Sequence, residues 1–264
     1  MKQSNKKTIL FVHGIMVGGW CWDKYKKFFE ERGYRCIAPN LRYHDGGQSV
    51  KPDSRLGSLS ILDYVDDLEK EIRALNLPRG EKPIIIGHSM GGLLLQKLAE
   101  RGLAEIAIAI APAPPRGISP ISRFTLKNFF GMRIPFTFWK SPIGITFNGL
   151  KFMALEFTPP EEQKTVFEKT GYESGRVMLE LSLSFLDPHK TIGVDEKKVA
   201  CPMLVMSAEN DKILVPATVK KIAKKYNAEY KNFPGHAHWI ISEPNWEEGA
   251  EYAYDWIVKN GDES

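Results

Sequence analysis

Three cysteines in 264 residues, Cys21, Cys36 and Cys201, are too few and too scattered for a disulfide framework or for paired zinc-binding CxxC motifs. That scarcity fits a reducing compartment, and the expected location is cytoplasmic. No run of 18 consecutive apolar residues occurs, which excludes an ordinary transmembrane helix. The polar residues 1–7 lead straight into an apolar strand pattern, with no apolar region of signal-peptide type before it. Neither Gly-x-Gly-x-x-Gly nor a Gly-Lys-Ser/Thr ending is present, so a dinucleotide or nucleotide-phosphate cradle has no support. The net charge is only +4, and no basic block is interleaved with aromatics; nucleic acid is not an expected partner. Internal repeats and low-complexity tracts are also missing. With 43% hydrophobic and 26% charged residues, what remains is a chain able to fill one large α/β core.

Short apolar runs recur at 8–12, 35–38, 83–86, 106–110 and 203–206, with a further short strand at 229–233. The hydrophobicity of the first five is unbroken by polar alternation, as strands buried on both faces require. Helical patterns lie between them. Ser60 can cap a segment whose Ile61, Leu62, Val65, Leu68, Ile72 and Leu75 share a face; others cover 89–99, 216–226 and 246–258, with Gly102 placed to end the second. This alternation predicts right-handed βαβ units and a mainly parallel, doubly wound sheet.

The alternation stops between 114 and 196. These 83 residues carry 10 of the 14 phenylalanines and read as a helical cap inserted into a core made of 1–113 and 197–264. The simplest expectation is that most of these rings fill the cap's own small core. The remainder would line a pocket above the strand C-termini, where open α/β sheets bind ligands.

The strongest chemical signal is Gly87-His88-Ser89-Met90-Gly91, directly after one strand and directly before a helix. Glycines two positions either side of Ser89 allow the sharp strand-to-helix turn of a nucleophile elbow, and the helix N-terminus favours developing negative charge there. A serine hydroxyl needs a base, and the base an orienting acid. Asp211, in the loop after the strand at 203–206, is the preferred acid, with Glu209 as its competitor. His238, where the loop after 229–233 re-enters apolar Trp239-Ile240-Ile241, is the preferred base, with His236 as its competitor. An oxyanion hole needs two converging N–H groups. Met90 supplies one; Ile15, after the turn at His13-Gly14, is the natural second, with Met16 next in line.

The strand ending in His13-Gly14, the run Gly-His-Ser-Met-Gly-Gly, Asp211 followed by Val215-Pro216, and Gly-His-Ala-His-Trp together resemble the α/β-hydrolase superfamily. The resemblance spans the chain apart from the middle insert. It implies an eight-strand-type sheet with a helical lid and a Ser-His-Asp triad carried by Ser89, His238 and Asp211. Two departures stand out. Few residues precede the first strand, so the usual antiparallel N-terminal hairpin is expected to be missing. The loop Asn40-Leu41-Arg42-Tyr43-His44-Asp45-Gly46-Gly47 lacks the usual Asp and Gly-His-Gly, and His44 and Asp45 are expected to make structural contacts.

The function implied is hydrolysis of small-molecule carboxylic esters with apolar groups of modest size, through an acyl-enzyme on Ser89. No cofactor or metal is needed for it. Thioester, lactone, amide or carbon–carbon hydrolysis, acyl transfer and perhydrolysis remain open on the same triad, as does a ligand-binding receptor on the hydrolase fold. Oligomeric state is not readable from the sequence. Two lysine pairs, at 220–221 and 224–225, read as a solvated helix face, and Cys21 as a buried free thiol.

Overall fold

The computed structural model describes residues 7–78, 80–119 and 137–261. Strand β1 (Thr8–Val12) is followed by helix α1 (Asp23–Glu31), β2 (Arg35–Ile37), α2 (Ile61–Ala74), β3 (Ile84–His88), α3 (Met90–Glu100) and β4 (Ile106–Ile110). The stretch before the next core strand holds β5 (Pro142–Ile143), α4 (Phe147–Met153), α5 (Pro160–Lys169), β6 (Glu173–Ser174) and α6 (Gly175–Ser182). The chain then returns through β7 (Met203–Ala208), α7 (Pro216–Tyr226), β8 (Glu229–Phe233) and α8 (Glu247–Gly261).

Six strands form one parallel sheet in the order β2-β1-β3-β4-β7-β8. Among the described residues the sheet therefore has six strands rather than the eight-strand type. Alternate residues of the same strand feed two separate cores. Leu10, Val12 and Ile85 pack with α2, α3 and α7 on one face, while Ile9, Phe11, Ile84 and Ile86 pack with α1 and α8 on the other. The four central strands β1, β3, β4 and β7 are buried on both faces, which is why they read as continuous apolar runs, while the edge strands β2 and β8 are partly exposed. Helix α2 starts at a full capping box, in which Ser60 accepts from Leu62 and the Asp63 carboxylate accepts from Ser60 N–H. Helix α1, whose Tyr25, Phe28 and Phe29 are buried, was legible from its i, i+3, i+4 apolar spacing but is not among the helices the sequence pattern singled out.

From β1 the chain runs outward to β2 and then crosses to β3 on the opposite side of β1. That reversal leaves a crevice beyond the carboxyl ends of β1 and β3, the place where open parallel sheets put their ligand sites. The residues between β4 and β7 differ from the aromatic-core expectation. Phe124, Phe129, Phe130 and Phe136 lie outside the described residues. Of the other six phenylalanines in this stretch none is buried, and Phe152, Phe157 and Phe185 are exposed. The buried positions include Ala154, Leu155, Val166 and Val177, together with the polar Gln163, Thr170, Glu173, Ser174 and Glu180. The interior of this stretch is thus held by hydrogen bonds as much as by apolar contact.

Close approach at the elbow sets the fold's tightest tolerance. A Cβ on Gly91 would overlap the Val12 carbonyl oxygen, and one on Gly87 would overlap the carbonyl of Gly91. Gly91→Ala should therefore lower the unfolding free energy by about 1–3 kcal/mol, as overpacked cores do, read from urea denaturation against wild type.

Candidate active site

Ser89 sits between the last residue of β3 and the first of α3 with φ +55° and ψ −121°, a left-handed backbone that a non-glycine residue rarely adopts. Such strain costs on the order of 1–3 kcal/mol and persists only where the surroundings over-determine it. Here they do. Ser89 N–H donates to the Ile110 carbonyl, and its own carbonyl accepts from Gly92 and Ala113. The turn lifts the hydroxyl above the sheet edge, facing the loop after β1, where a Cβ on Gly14 would come within 3.0 Å of the serine Cβ.

His238 Nε2 lies 3.1 Å from Ser89 Oγ, and His238 Nδ1–H donates to Asp211 Oδ2 at 2.8 Å. All three side chains are buried. The second Asp211 oxygen accepts from the N–H groups of Ile213 and Leu214, both at 2.8 Å. Burial raises the cost of charging Asp211, yet the His238 ring and the two backbone donors outweigh it and hold the carboxyl below its usual range. An ionised Asp211 accepting from Nδ1–H leaves Nε2 as the acceptor of the serine proton. The arrangement sets an imidazole, oriented by a carboxylate, against a hydroxyl.

The competitors lie outside this relay. Glu209 is exposed, and it is Asp211 that meets the His238 ring. His236 Nδ1–H donates to Glu243 Oε1, which also accepts from Ala237 N–H, and the His236 carbonyl accepts from Asn210. Glu243 thus braces the loop carrying His238, and the Asn210 bond to the His236 carbonyl ties that loop to the one carrying Asp211.

Two further histidines brace the site. His88 Nε2–H donates to the His238 carbonyl at 2.8 Å, and its Nδ1 has no hydrogen-bond partner. His13 Nδ1–H donates to the Gly14 carbonyl while its Nε2 accepts from Leu41 N–H. Because the Gly14–Ile15 peptide is planar and trans, holding its carbonyl on one side turns Ile15 N–H to the other. Both rings are neutral. Burial, followed by the neighbouring His44 for His13 and His238 for His88, pushes each down to about 3. His44 and Asp45 make the structural contacts expected of them: His44 is buried against Glu173, and Asp45 accepts from the Asn40 side chain. Glu173 and Glu243 carry no sequence signal that marks them as buried. Cys21 is a buried free thiol, as anticipated.

A groove of about 620 Å³ lies at the opposite edge of the sheet, lined by Lys7, Lys82, Glu105, Cys201 and Pro202 at the N-terminal ends of the strands. It is remote from Ser89. No described helix is long and apolar enough to cross a membrane.

The family described as "Alpha/beta hydrolase family" matches residues 9–252, and the chain belongs to it. It is 28% identical to Methylesterase 1 of Arabidopsis thaliana over 195 residues, 71% of this chain and 68% of that protein. It is 30% identical to Methyl jasmonate esterase 1 of Vitis vinifera over 124 residues, 45% of each. The Arabidopsis methylesterase MES16 superposes with a TM-score of 0.71 at 17% identity, covering 96% of this chain and 99% of that one, a likeness of fold. Ester hydrolysis by a serine hydrolase is the activity these relatives and this geometry support.

The neutral buried histidines carry a stability consequence. Their folded pKa values lie below the unfolded value of 6.5, so the unfolded chain binds the extra protons between pH 6.5 and about 3. The stabilisation is complete above 6.5 and drains as pH falls, at up to about 1.4 kcal/mol per pH unit for each ring. Urea unfolding at pH 7 and pH 5 should show that loss, and His88→Gln, which keeps an N–H donor, should flatten the slope.

Proposed function

We propose that Ser89, His238 and Asp211 form a catalytic triad that hydrolyses carboxylic esters, and that the N–H groups of Ile15 and Met90 form its oxyanion hole. The observation that carries this reading is the continuous relay from Ser89 Oγ through His238 to Asp211 at the end of β3. Ser89 attacks the ester carbonyl as His238 Nε2 takes its proton, and Asp211 stabilises the imidazolium. The oxyanion is held by Met90 N–H at the start of α3 and by Ile15 N–H, the peptide that His13 orients. The alcohol leaves with the proton from His238. Water, activated by the same ring, then cleaves the acyl-enzyme and restores the serine.

Residues 114–196 act as the cap in this reading. Support comes from the contacts of its β6 neighbourhood with the core: Gly171 N–H donates to the Met16 carbonyl, and the Ser174 hydroxyl to Leu59. The substrate we infer is a small-molecule ester of an apolar carboxylic acid with a small alcohol, methanol first among them. Two relatives are named for methyl esters, and the segments meeting Ser89 bring apolar Ile15, Met90 and Ala113. Three free cysteines, all with thiols pushed up chiefly by burial (Cys36 to about 12), suit a cytoplasmic enzyme.

Methyl esters of aryl and alkyl acids, alongside p-nitrophenyl esters from acetate to palmitate, test the proposal through alcohol release. Turnover should peak at short to medium chains and fall to background in Ser89→Ala, and a fluorophosphonate probe should label wild type but not that variant. Folded protein that neither turns over nor labels overturns the reading. Asp211→Asn should lower kcat about 10⁴-fold, because the amide favours the wrong imidazole tautomer.

A further inference from the structure

Glu173, on the short strand β6 of the inserted segment, is fully buried, and four donors converge on its carboxylate. Oε1 accepts from the Tyr64 hydroxyl at 2.8 Å and from Ser174 N–H at 2.8 Å. Oε2 accepts from His44 Nε2–H at 3.1 Å and from Met16 N–H at 3.4 Å. His44 directs its other nitrogen at the Arg42 carbonyl, 3.0 Å away. A ring whose two nitrogens face a carboxylate and a carbonyl must donate twice, so it is an imidazolium. The pair is a buried salt bridge joining the cap to the loop after β2, with Tyr64 of α2 completing it.

We infer that Glu173 is a positioning residue for the oxyanion hole, acting from the cap through the Met16 peptide with protonated His44 as its counter-ion. The inference rests on the proposed esterase reading. Met16 has a left-handed backbone, φ +61°, which something must hold. It is gripped on both sides by the same cap segment: its N–H by Glu173 and its carbonyl by Gly171 N–H at 2.7 Å. The Ile15–Met16 peptide so held is separated from the Gly14–Ile15 peptide, whose N–H is the expected oxyanion donor, by only the two torsions of Ile15. His13 fixes the far side of that donor peptide through the Gly14 carbonyl. The donor is thus clamped from the core by His13 and from the cap by Glu173. Met16 N–H, already committed to Glu173, is not free to serve as the oxyanion donor itself.

The charges around the pair set its pH behaviour. Glu173 faces His44 and Tyr64, with His13 near; His44 faces Glu173, Asp45 and His13; Tyr64 also faces Asp63 and Arg42. Burial opposes both charges, but their mutual attraction outweighs it, holding the carboxyl below and the imidazole above their ordinary ranges. The pair therefore favours its ionised form. As pH rises through the elevated range of His44, the proton is lost and a buried carboxylate is left uncompensated. That adds an alkaline fall in kcat on which the triad's own titration does not depend.

Glu173→Gln keeps the shape but cannot hold an imidazolium, and it tests the idea. Misplacing one oxyanion donor should lower kcat about 10- to 100-fold. KM should stay within about twofold, since ground-state binding does not use the hole. Affinity for a trifluoromethyl ketone, whose serine adduct carries the oxyanion, should fall by the same factor as kcat, and the alkaline fall should disappear. Tyr64→Phe, which removes a single bond to the carboxylate, should show a smaller loss of the same pattern and serves if the glutamine variant does not fold. A folded Glu173→Gln or Tyr64→Phe with wild-type kcat and ketone affinity overturns the inference, as does a rise in KM at unchanged kcat. Fluorophosphonate labelling of wild type separates the two levels: an unlabelled wild type sinks the esterase reading, whereas a labelled one with an unaffected Glu173→Gln sinks only the role of Glu173.

Discussion

Everything in this site depends on the left-handed backbone of Ser89. A strand that must become a helix within one residue has no room for side chains on either flank, so Gly87, Gly91 and Gly92 are set by where Val12, Pro112 and the elbow's own carbonyls lie. The strain is held in place by three backbone hydrogen bonds to Ser89, from a neighbouring strand, from α3 and from the loop after β4. Because the bonds come from separate elements, the hydroxyl is placed only when the central sheet has assembled. The parallel register then carries the loops after β1, β7 and β8 to the same edge, since parallel strands all end on one side.

Histidine does most of the bracing, and each ring has a distinct task. His238 faces the serine. His88 holds the His238 backbone, His13 fixes the Gly14–Ile15 peptide, His236 ties the loop of His238 to Glu243, and His44 faces Glu173. One imidazole can donate, accept or do both, and its partners decide which. His13 and His88, each bonded to a backbone carbonyl and with no carboxylate in contact, stay neutral; His44, between a carbonyl and a carboxylate, carries charge.

Among the described residues the inserted segment meets the core through buried polar groups as well as aliphatic ones, and not through buried phenylalanines. Glu173, Glu180 and Ser174 are buried and receive hydrogen bonds from or donate them to residues 57–64 of the loop leading into α2 and of α2 itself. Directional contacts of this kind fix orientation more sharply than apolar ones, because a small rotation leaves a buried charge or amide unpaired. Phe152, Phe157 and Phe185 are exposed, with the Lys212 ammonium over the Phe152 ring.

The order Ser89, Asp211, His238, the strand–elbow–helix context and the βαβ alternation are local properties. Periodicity and glycine spacing within a dozen residues suffice to read them, and the helix at Pro216–Tyr226 and the capping box at Ser60 follow from the same local rules. What local rules cannot supply is any relation between residues far apart in the chain. Choosing His238 over His236 rested on the apolar run after it, but only the fold shows His236 consumed by Glu243. The partnership of Glu173 with His44, Tyr64 and Met16 joins four segments up to 157 positions apart. A buried carboxylate looks like any surface glutamate until the chain closes around it, since its burial and its donors are properties of the packed molecule and not of the residue.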